Sequence, residues 1–503
     1  MRLLPNRIII PGPPGTGKTH TLMNYLDKEL KTTPADKIVY LAFSKAAAKE
    51  AAKRANNDEV TIKTMHAYGR EKLGIDTNTQ LLKGQKWSAF KNYCTTAADL
   101  SFETIKMPSG MYQYVNPHMK IIDYARNSKI SLGEAAYKLD INHLVDINVT
   151  DLINKELIEY KKKTGMVEYF DMIYKFVEED KCPPLHSVFL DEAQDLNPAQ
   201  WDMFFYMERN SQRSYIAGDD DQAIYGFQGA EPKIFIDLKG TYDAQVKSVR
   251  VPRAVHKVAE SILSNMGKRL PKKWEPRDEE GAVYWDRTIY DINYDKGTWM
   301  LLARTNDLLD PIKRHLENLN LRFEAKSSDL LPPDLVVAYQ TWQRLHQGAY
   351  VGKEEVEDLW QYLRVGDGHI KRGFASKDKL KDITQVNIED LRNEYGFQAT
   401  GSWETMHIAD TTKSYIKNLL ESGDDLMSKA RIKVSTIHGV KGEEAENVVL
   451  FTDMPYPAYK SATEINPDPE HRVFYVGVTR TKKTLFITSQ DNEHQYRIGG
   501  QII

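Results

Sequence analysis

Gly12-Pro13-Pro14-Gly15-Thr16-Gly17-Lys18-Thr19 stands between a short β-rich run, Arg7 to Ile10, and an amphipathic helical pattern from about Lys18 to Leu30. The spacing is G-x-x-x-x-G-K-[ST], and its place between a strand and a helix gives it a mechanism. Glycines let backbone N–H groups curl around a phosphate where any Cβ would intrude. The start of the helix adds the positive end of its dipole. Lys18 is expected to reach the β- and γ-phosphates, and the Thr19 hydroxyl to ligate Mg²⁺. A Gly-rich turn met by chance would lack the strand before it and the helix after it.

Working outward, Lys37 to Phe43 reads as a second apolar strand, Ala46 to Ala55 as a helix, and Val60 to Met65 as a third strand. Alternating strands and helices predict a parallel sheet with crossover helices, an α/β fold. From about Gly69 to Gly165 the pattern is helical, with Ser131 to Leu139 and Val149 to Lys163 as examples. Strands return at Ser187 to Leu190, Ser214 to Ala217 and Ala244 to Val249. A second α/β unit starts near Ala282 with Thr298 to Ala303 as a buried strand. It is interrupted by a helical, Lys-rich stretch and resumes at Ile432 to Thr436, Asn447 to Phe451 and Leu485 to Thr488. The expected division is a first α/β domain over 1–68 and 166–245 with a helical insertion at 69–165. A second α/β domain is expected over 246–326 and 427–503, with a mainly helical insertion at 327–426.

A chain of 503 residues is too long for one hydrophobic core, which agrees with roughly three or four compact units. The net charge of −3 counts against a histone-like coating protein but leaves a groove binder open. No apolar run of about 18 residues is present, so no membrane helix is expected. Met1 to Arg7 carries no secretory apolar segment. Two cysteines, Cys94 and Cys182, make neither a disulfide framework nor a zinc site, and a reducing, cytoplasmic setting is expected.

A phosphate loop that hydrolyses its nucleotide needs acidic partners. Val188-Phe189-Leu190-Asp191-Glu192-Ala193-Gln194-Asp195 is an apolar strand ending in adjacent carboxylates. Asp191 is expected to hold Mg²⁺ through its water shell, and Glu192 to orient or deprotonate the attacking water. Kinases with the same loop use a substrate hydroxyl and have no need of the second carboxylate. Taken alone, Asp191-Glu192 is an exposed strand end; paired with the loop it becomes catalytic.

The stretch Ile216-Ala217-Gly218-Asp219-Asp220-Asp221-Gln222-Ala223-Ile224-Tyr225-Gly226-Phe227-Gln228-Gly229-Ala230 resembles motif III of superfamily 1 helicases of the UvrD/Rep class, usually written GDDDQSIYGWRGA. Ala42-Phe43-Ser44-Lys45-Ala46-Ala47-Ala48 resembles motif Ia, one residue short, and Thr64-Met65-His66 resembles the next strand-contacting motif. Thr436-Ile437-His438-Gly439-Val440-Lys441-Gly442-Glu443-Glu444 resembles motif V, and Phe474-Tyr475-Val476-Gly477-Val478-Thr479-Arg480 resembles motif VI. The resemblance implies two RecA-like P-loop NTPase domains with ATP between them and single-stranded DNA across their top. It implies Gln222 as γ-phosphate sensor, Arg480 as the arginine supplied from the second domain, and Arg250 as a second γ-phosphate arginine. Gly12, Pro13, Pro14, Gly15, Thr16, Gly17, Lys18, Thr19, His20, Gly442 and Glu444 complete the implied ATP site, with Glu444 near the ribose. Phe43, Lys45, His66, Tyr225, Phe227, Thr436 and His438 are the implied DNA contacts, Tyr225 and Phe227 by stacking on bases. Without the flanking match, the two rings read as ordinary core aromatics.

The chain also departs from the family pattern. No upstream glutamine motif precedes the first strand, Val249 stands at the adenine-stacking tyrosine, and His20 stands where arginine often follows the loop. Selectivity for adenine is thereby left open. Phe227-Gln228 replaces the usual Trp-Arg, and the lost cation should weaken one strand contact by about 1 kcal/mol. The basic run from His369 to Lys379 reads as a solvated loop or as a contact to duplex phosphates.

The expected function is an ATP- and Mg²⁺-dependent DNA helicase. It should move 3′-to-5′ on single-stranded DNA, engage single-strand/duplex junctions, and work as a monomer with replication or repair proteins, away from any membrane. Two alternatives stay open at this point: a translocase that strips bound proteins with little unwinding, and a P-loop NTPase acting on partners other than nucleic acid.

Overall fold

The computed structural model describes residues 6–502 apart from 56, 95, 97–99, 107–111, 327–329, 367, 375, 377–379, 491 and 500. Strands β1 (Asn6–Pro11), β2 (Ile38–Ala42) and β3 (Thr61–Thr64) are followed by a small antiparallel pair, β4 (Thr104–Lys106) and β5 (Tyr112–Tyr114). Then come β6 (Ser187–Leu190), β7 (Arg213–Gly218) and β8 (Thr241–Tyr242). The first sheet has the order β3-β2-β6-β7-β1-β8, every pairing parallel. Every residue of β2 and β6 is buried, as expected for strands covered by helices on both faces.

The second sheet is built from β9 (Ala282–Trp285), β10 (Trp299–Ala303), β11 (Phe323–Glu324), β14 (Ile432–Thr436), β15 (Ala445–Phe451) and β16 (Thr481–Thr488). Its order is β11-β14-β10-β15-β16-β9, again all parallel. The short pairs β12 (Val351–Gly352) with β13 (Gln385–Val386) and β17 (Tyr496–Arg497) with β18 (Gln501–Ile502) are antiparallel. The α/β class with two parallel sheets agrees with the sequence.

One expected strand does not form. Ala244 to Val249 pairs with no strand of the sheet, and the edge position belongs to β8. The backbone of this segment is committed elsewhere: Gln245 N–H donates to Pro11 O, Ser248 N–H to Glu275 O, and Val249 N–H to Gly15 O. Gln245 still bonds the last residue of β1, but beyond it the backbone is spent on Glu275 and the phosphate loop.

The helical segment between β3 and β6 packs Trp87, Phe90, Met119, Ile122, Ile153 and Leu157 into a core of its own. Helix Met65–Lys72 lies backbone-close on helix Tyr169–Glu178, because a Cβ at Gly69 would collide with the Met172 carbonyl. The segment between β11 and β14 has a separate core around Leu335, Trp342, Leu359, Leu391, Phe397 and Ile416. Arg322 ties its root by donating to the carbonyls of Asp425 and Ser428, and Tyr415 OH donates to Leu321 O at 2.9 Å. Of the basic run, Lys371 and Arg372 are exposed, while residues 375 and 377–379 lie outside the described residues.

An ion network joins the first helical segment to the sheet-side helix. Glu168 accepts from Arg126 at 2.6 Å and Lys161 at 2.8 Å, and Lys161 also reaches Asp171 at 2.9 Å. Burial opposes the Glu168 charge, but Lys161 and Arg126 overcome it and hold the carboxyl down to about 2. Asp123, beside this network, also feels Arg126, but burial and the Glu168 charge outweigh it and push the carboxyl up to about 7 from 3.8. A carboxyl with a raised folded value is destabilising once ionised, so its penalty grows as pH rises from about 4 and is complete above about 7. Asp123→Asn, which keeps the oxygen that accepts from Asn127, should therefore stabilise the protein by roughly 1–3 kcal/mol at pH 8. Thermal melts of both proteins should converge as pH falls toward 4; a gap independent of pH would contradict the assignment.

Candidate nucleotide and strand site

Strands β6, β7 and β1 are neighbours, and the three loops leaving their C-terminal ends form the site. The loop after β1 curls through Gly15 at φ +74° and Gly17 at φ +86°, conformations that suit glycine. Thr16 Oγ1 donates to Pro13 O at 2.8 Å, and Ser248 Oγ donates to Pro14 O at 2.9 Å. A Cβ on Gly15 would stand 2.5 Å from Arg250 Cβ and 2.7 Å from Ser248 Oγ. Lys18 Nζ lies in the loop, donating to Gly12 O at 2.6 Å. Burial pushes its ammonium below the ordinary value against the pull of Asp219, Glu192 and Asp191.

The loop after β6 presents the acids. Asp191 Oδ2 accepts from Thr19 Oγ1 at 2.9 Å and from Tyr40 OH at 3.1 Å, and Asp191 Oδ1 accepts from Glu192 N–H at 2.9 Å. Burial and the neighbouring Glu192 charge push the Asp191 carboxyl up. A buried carboxylate held against a threonine hydroxyl, with its charge incompletely offset, is a hard oxygen donor set that fits Mg²⁺. Glu192 sits at φ +54°, a left-handed conformation costly for a residue with a Cβ and held here by its surroundings. Its Oε2 accepts from Gln194 Nε2 at 2.5 Å. Burial opposes the Glu192 charge, yet Lys441 and Lys18 keep its carboxyl below the usual value.

From the second α/β body come four cations. Arg480, 1% exposed, donates from Nη2 to Gln222 Oε1 at 2.9 Å and from Nη1 to Glu443 O at 3.2 Å. Lys441 Nζ pairs with Asp195 Oδ2 at 2.5 Å, donates to Gln222 O at 2.7 Å, and stands 3.7 Å from Glu192 Oε2. Arg250 donates to Glu444 Oε2 at 2.6 Å, and Lys482 takes the other oxygen of Glu444 at 3.0 Å. The pair expected at the γ-phosphate and the ribose thus lies together. Gly442, at φ +87°, and His20 are exposed; His20 Nδ1 is 3.1 Å from Asn24 Nδ2. Val249 is 76% exposed, so it offers a small apolar surface beside the loop.

The aromatic candidates form one group. Tyr225 stacks on Phe43 with centroids 5.3 Å apart, and Phe227 meets His438 edge-on at 5.5 Å. Tyr225 is only 4% exposed and belongs to the core under the loop, whereas Phe227 is partly exposed. Phe43 and Phe227 are thus the partly exposed rings of the group, and Tyr225 lies beneath them. Burial and the Arg304 charge push His438 down to about 3, so it is neutral at physiological pH. Thr436 Oγ1 caps the turn that carries His438 by accepting from Gly439 N–H at 3.2 Å. Lys45 is exposed at the start of helix Lys45–Arg54, which Ser44 caps. His66 packs apart from the aromatic group, edge-on to Tyr169 at 6.4 Å, and burial takes it down to about 4.

The chain matches the family model of the UvrD/REP helicase N-terminal domain over residues 2–243 and that of the UvrD-like helicase C-terminal domain over residues 432–488. It belongs to the UvrD/Rep helicase family. Curated relatives include F-box DNA helicase protein 1 of Schizosaccharomyces pombe, 26% identical over 94% of this chain and 54% of the relative. A probable DNA helicase II homolog of Mycoplasma pneumoniae is 21% identical over 97% of this chain and 82% of that protein. The ATP-dependent DNA helicase Rep of Buchnera aphidicola is 20% identical over 97% and 93%. The chain thus spans about half the length of the fission-yeast relative and most of the other two.

Several residues of this UvrD/Rep site had no signal strong enough to single them out in the sequence. Tyr40 lies inside an apolar strand, and its hydroxyl meets Asp191 only because β2 pairs with β6. Gln194 and Lys441 stand inside the quoted motif stretches but carry no spacing rule of their own. Arg269 and Lys272 lie about fifty residues beyond the aspartates they pair with, a separation no local pattern bridges.

Gly15→Ala should abolish tight nucleotide binding, because the methyl group meets Arg250 and Ser248 and the left-handed φ is lost to strain. Titration calorimetry with a nucleoside triphosphate should show at least a tenfold weaker affinity. Binding within twofold of the parent protein would mean the loop does not wrap the phosphates.

Proposed function

We propose that this chain is an ATP-driven motor that travels 3′-to-5′ along single-stranded DNA and unwinds duplex at the junction, with Mg²⁺ as its metal. The direction is carried over from the resemblance to the UvrD/Rep class. The observation that supports the motor best is the contact between Arg480 and Gln222, a guanidinium of the second body inside the acidic cluster of the first.

The roles follow from position. Lys18 and the N–H groups of Gly15 to Thr19 would hold the β- and γ-phosphates, and the helix start adds its dipole. Thr19 and Asp191 would hold Mg²⁺, which when bound supplies positive charge to the phosphate oxygens. Glu192 would orient the attacking water and accept its proton, with Gln194 fixing one carboxylate oxygen. Arg480 reaches its place only while the two bodies are closed, so the transition-state charge is met by a donor that opening removes. Gln222 and Phe227 lie on one short loop, which gives nucleotide state a direct route to the ring that faces the strand. Closure and opening would then alternate the grip on DNA. A monomer in a reducing cytoplasm, serving replication or repair proteins, completes the reading.

ATP hydrolysis and unwinding on 3′-tailed, 5′-tailed and blunt duplexes test it, with Glu192→Gln as control. Expected are hydrolysis stimulated by single-stranded DNA, unwinding from a 3′ tail only, and a loss of hydrolysis of at least a hundredfold in the control. Hydrolysis indifferent to DNA would sink the motor; unwinding from a 5′ tail only would reverse the direction. Translocation without unwinding would move the reading to protein displacement. Phe227→Ala should slow stepping more than DNA-free hydrolysis, and equal losses in both would return the ring to a packing role.

A further inference from the structure

Asp219, Asp220 and Asp221 are fully buried, and their carboxylate oxygens lie close enough together to hold a metal ion. That space is filled by an ammonium. Lys272, its side chain 2% exposed, places Nζ 2.6 Å from Asp219 Oδ1 and 2.9 Å from Asp221 Oδ2, and contacts Asp220 as well. Arg269 grips Asp221 with two parallel bonds of 2.9 and 2.7 Å, Leu270 N–H donates to Asp220 Oδ2 at 2.8 Å, and Arg472 Nε donates to Asp220 O at 3.0 Å. These partners follow or belong to helices that pack in the second core, so the contacts join the two bodies.

Asp219 is the member that faces the chemistry. Its Oδ2 accepts from Gln222 Nε2 at 2.7 Å, and the oxygen of the same amide accepts from Arg480 at 2.9 Å. Its N–H donates to Gln194 Oε1 at 2.8 Å, and the nitrogen of that amide donates to Glu192. A carboxylate only accepts and a guanidinium or N–H only donates, so each amide has one permitted orientation. Asp219 therefore sets two relays, one ending on the cross-cleft arginine and one on the water-orienting carboxylate.

We propose that Lys272 is a positioning residue for hydrolysis: by anchoring the Asp219 carboxylate from the second body, it holds Gln222 against Arg480. The inference rests on the hydrolysis assigned above. Without the ammonium, three buried carboxylates share one space with too little positive charge, and Asp219 must turn or take up a proton. Either change frees Gln222. The contacts of Lys272 are to the three aspartates and not to the phosphate loop, so binding should be spared while turnover suffers.

The test is steady-state ATP hydrolysis by the full chain at saturating oligo-dT, for Lys272→Met, Asp219→Asn and the double variant, with thermal melts alongside. Asparagine keeps the shape of Asp219, but its single acceptor cannot serve both Lys272 and Gln222. Each single variant should lose ten- to a hundredfold in kcat with KM for ATP within threefold, and the double should be no worse than the poorer single. A kcat within twofold of the parent, a loss confined to KM, or losses that multiply in the double would overturn the proposal. Should Lys272→Met fail to fold, Asp219→Asn decides alone by the same kcat and KM criteria. A parent protein without DNA-stimulated hydrolysis would instead defeat the motor reading, so the two failures are distinguishable.

Discussion

Parallel pairing of β6, β7 and β1 is the constraint on which the rest depends. Parallel strands run about 4.8 Å apart, so three adjacent C-terminal ends bring three loops within side-chain reach of one another. The phosphate loop leaves β1, the acids Asp191 and Glu192 leave β6, and Asp219 to Gln222 leave β7 between them. No contact of the site needs a long reach: Thr19 meets Asp191, Gln194 meets Asp219, and Asp219 meets Gln222 at ordinary hydrogen-bond distances. Helices on both faces exclude water from the strands, which makes each of those bonds count for more than it would at the surface.

Charge is concentrated in this buried space. Lys18, Asp191, Asp219 to Asp221, Lys272 and Arg480 are each less than a tenth exposed or enclosed by their partners. Isolated, any one of them would cost several kcal/mol to bury, so they are tolerable only as a mutually paired set. Two of that set, Lys272 and Arg480, come from the second body. The cluster is therefore complete only when the bodies are together, the geometry that the proposed coupling of hydrolysis to closure requires. Lys441 shows the same economy: one ammonium pairs with Asp195, holds Gln222 O and stands 5.2 Å over the Tyr225 ring.

The helical segments are built on another principle. Each has a core of its own, and polar contacts tie each to its parent domain, among them those of Arg322 and Tyr415 for the second and the Arg126–Glu168–Lys161 network for the first. The first also supports the strand side, since Tyr124 OH donates to Gly226 O and a Cβ on Gly229 would collide with Ser128 Oγ. The loop that carries Phe227 is thus braced from the insertion as well as from the sheet.

The sequence by itself determined the α/β class, the phosphate loop, the acidic strand end and the family, because each is written in contiguous residues whose spacing is dictated by local geometry. Glycines at Gly15 and Gly17 are required by positive φ, and a strand ending in Asp191-Glu192 is legible as such. Tertiary structure alone decided what those residues touch. It turned Ala244 to Val249 from an expected strand into a brace for the phosphate loop, buried Tyr225 while leaving Phe227 partly exposed, and paired Arg250 with Glu444. It also put Lys272 among three aspartates some fifty residues earlier in the chain. Such pairings arise when separate bodies close on one another, and the free energy that selects them is the desolvation of charge, which depends on the whole surround and leaves no mark in any short stretch of sequence.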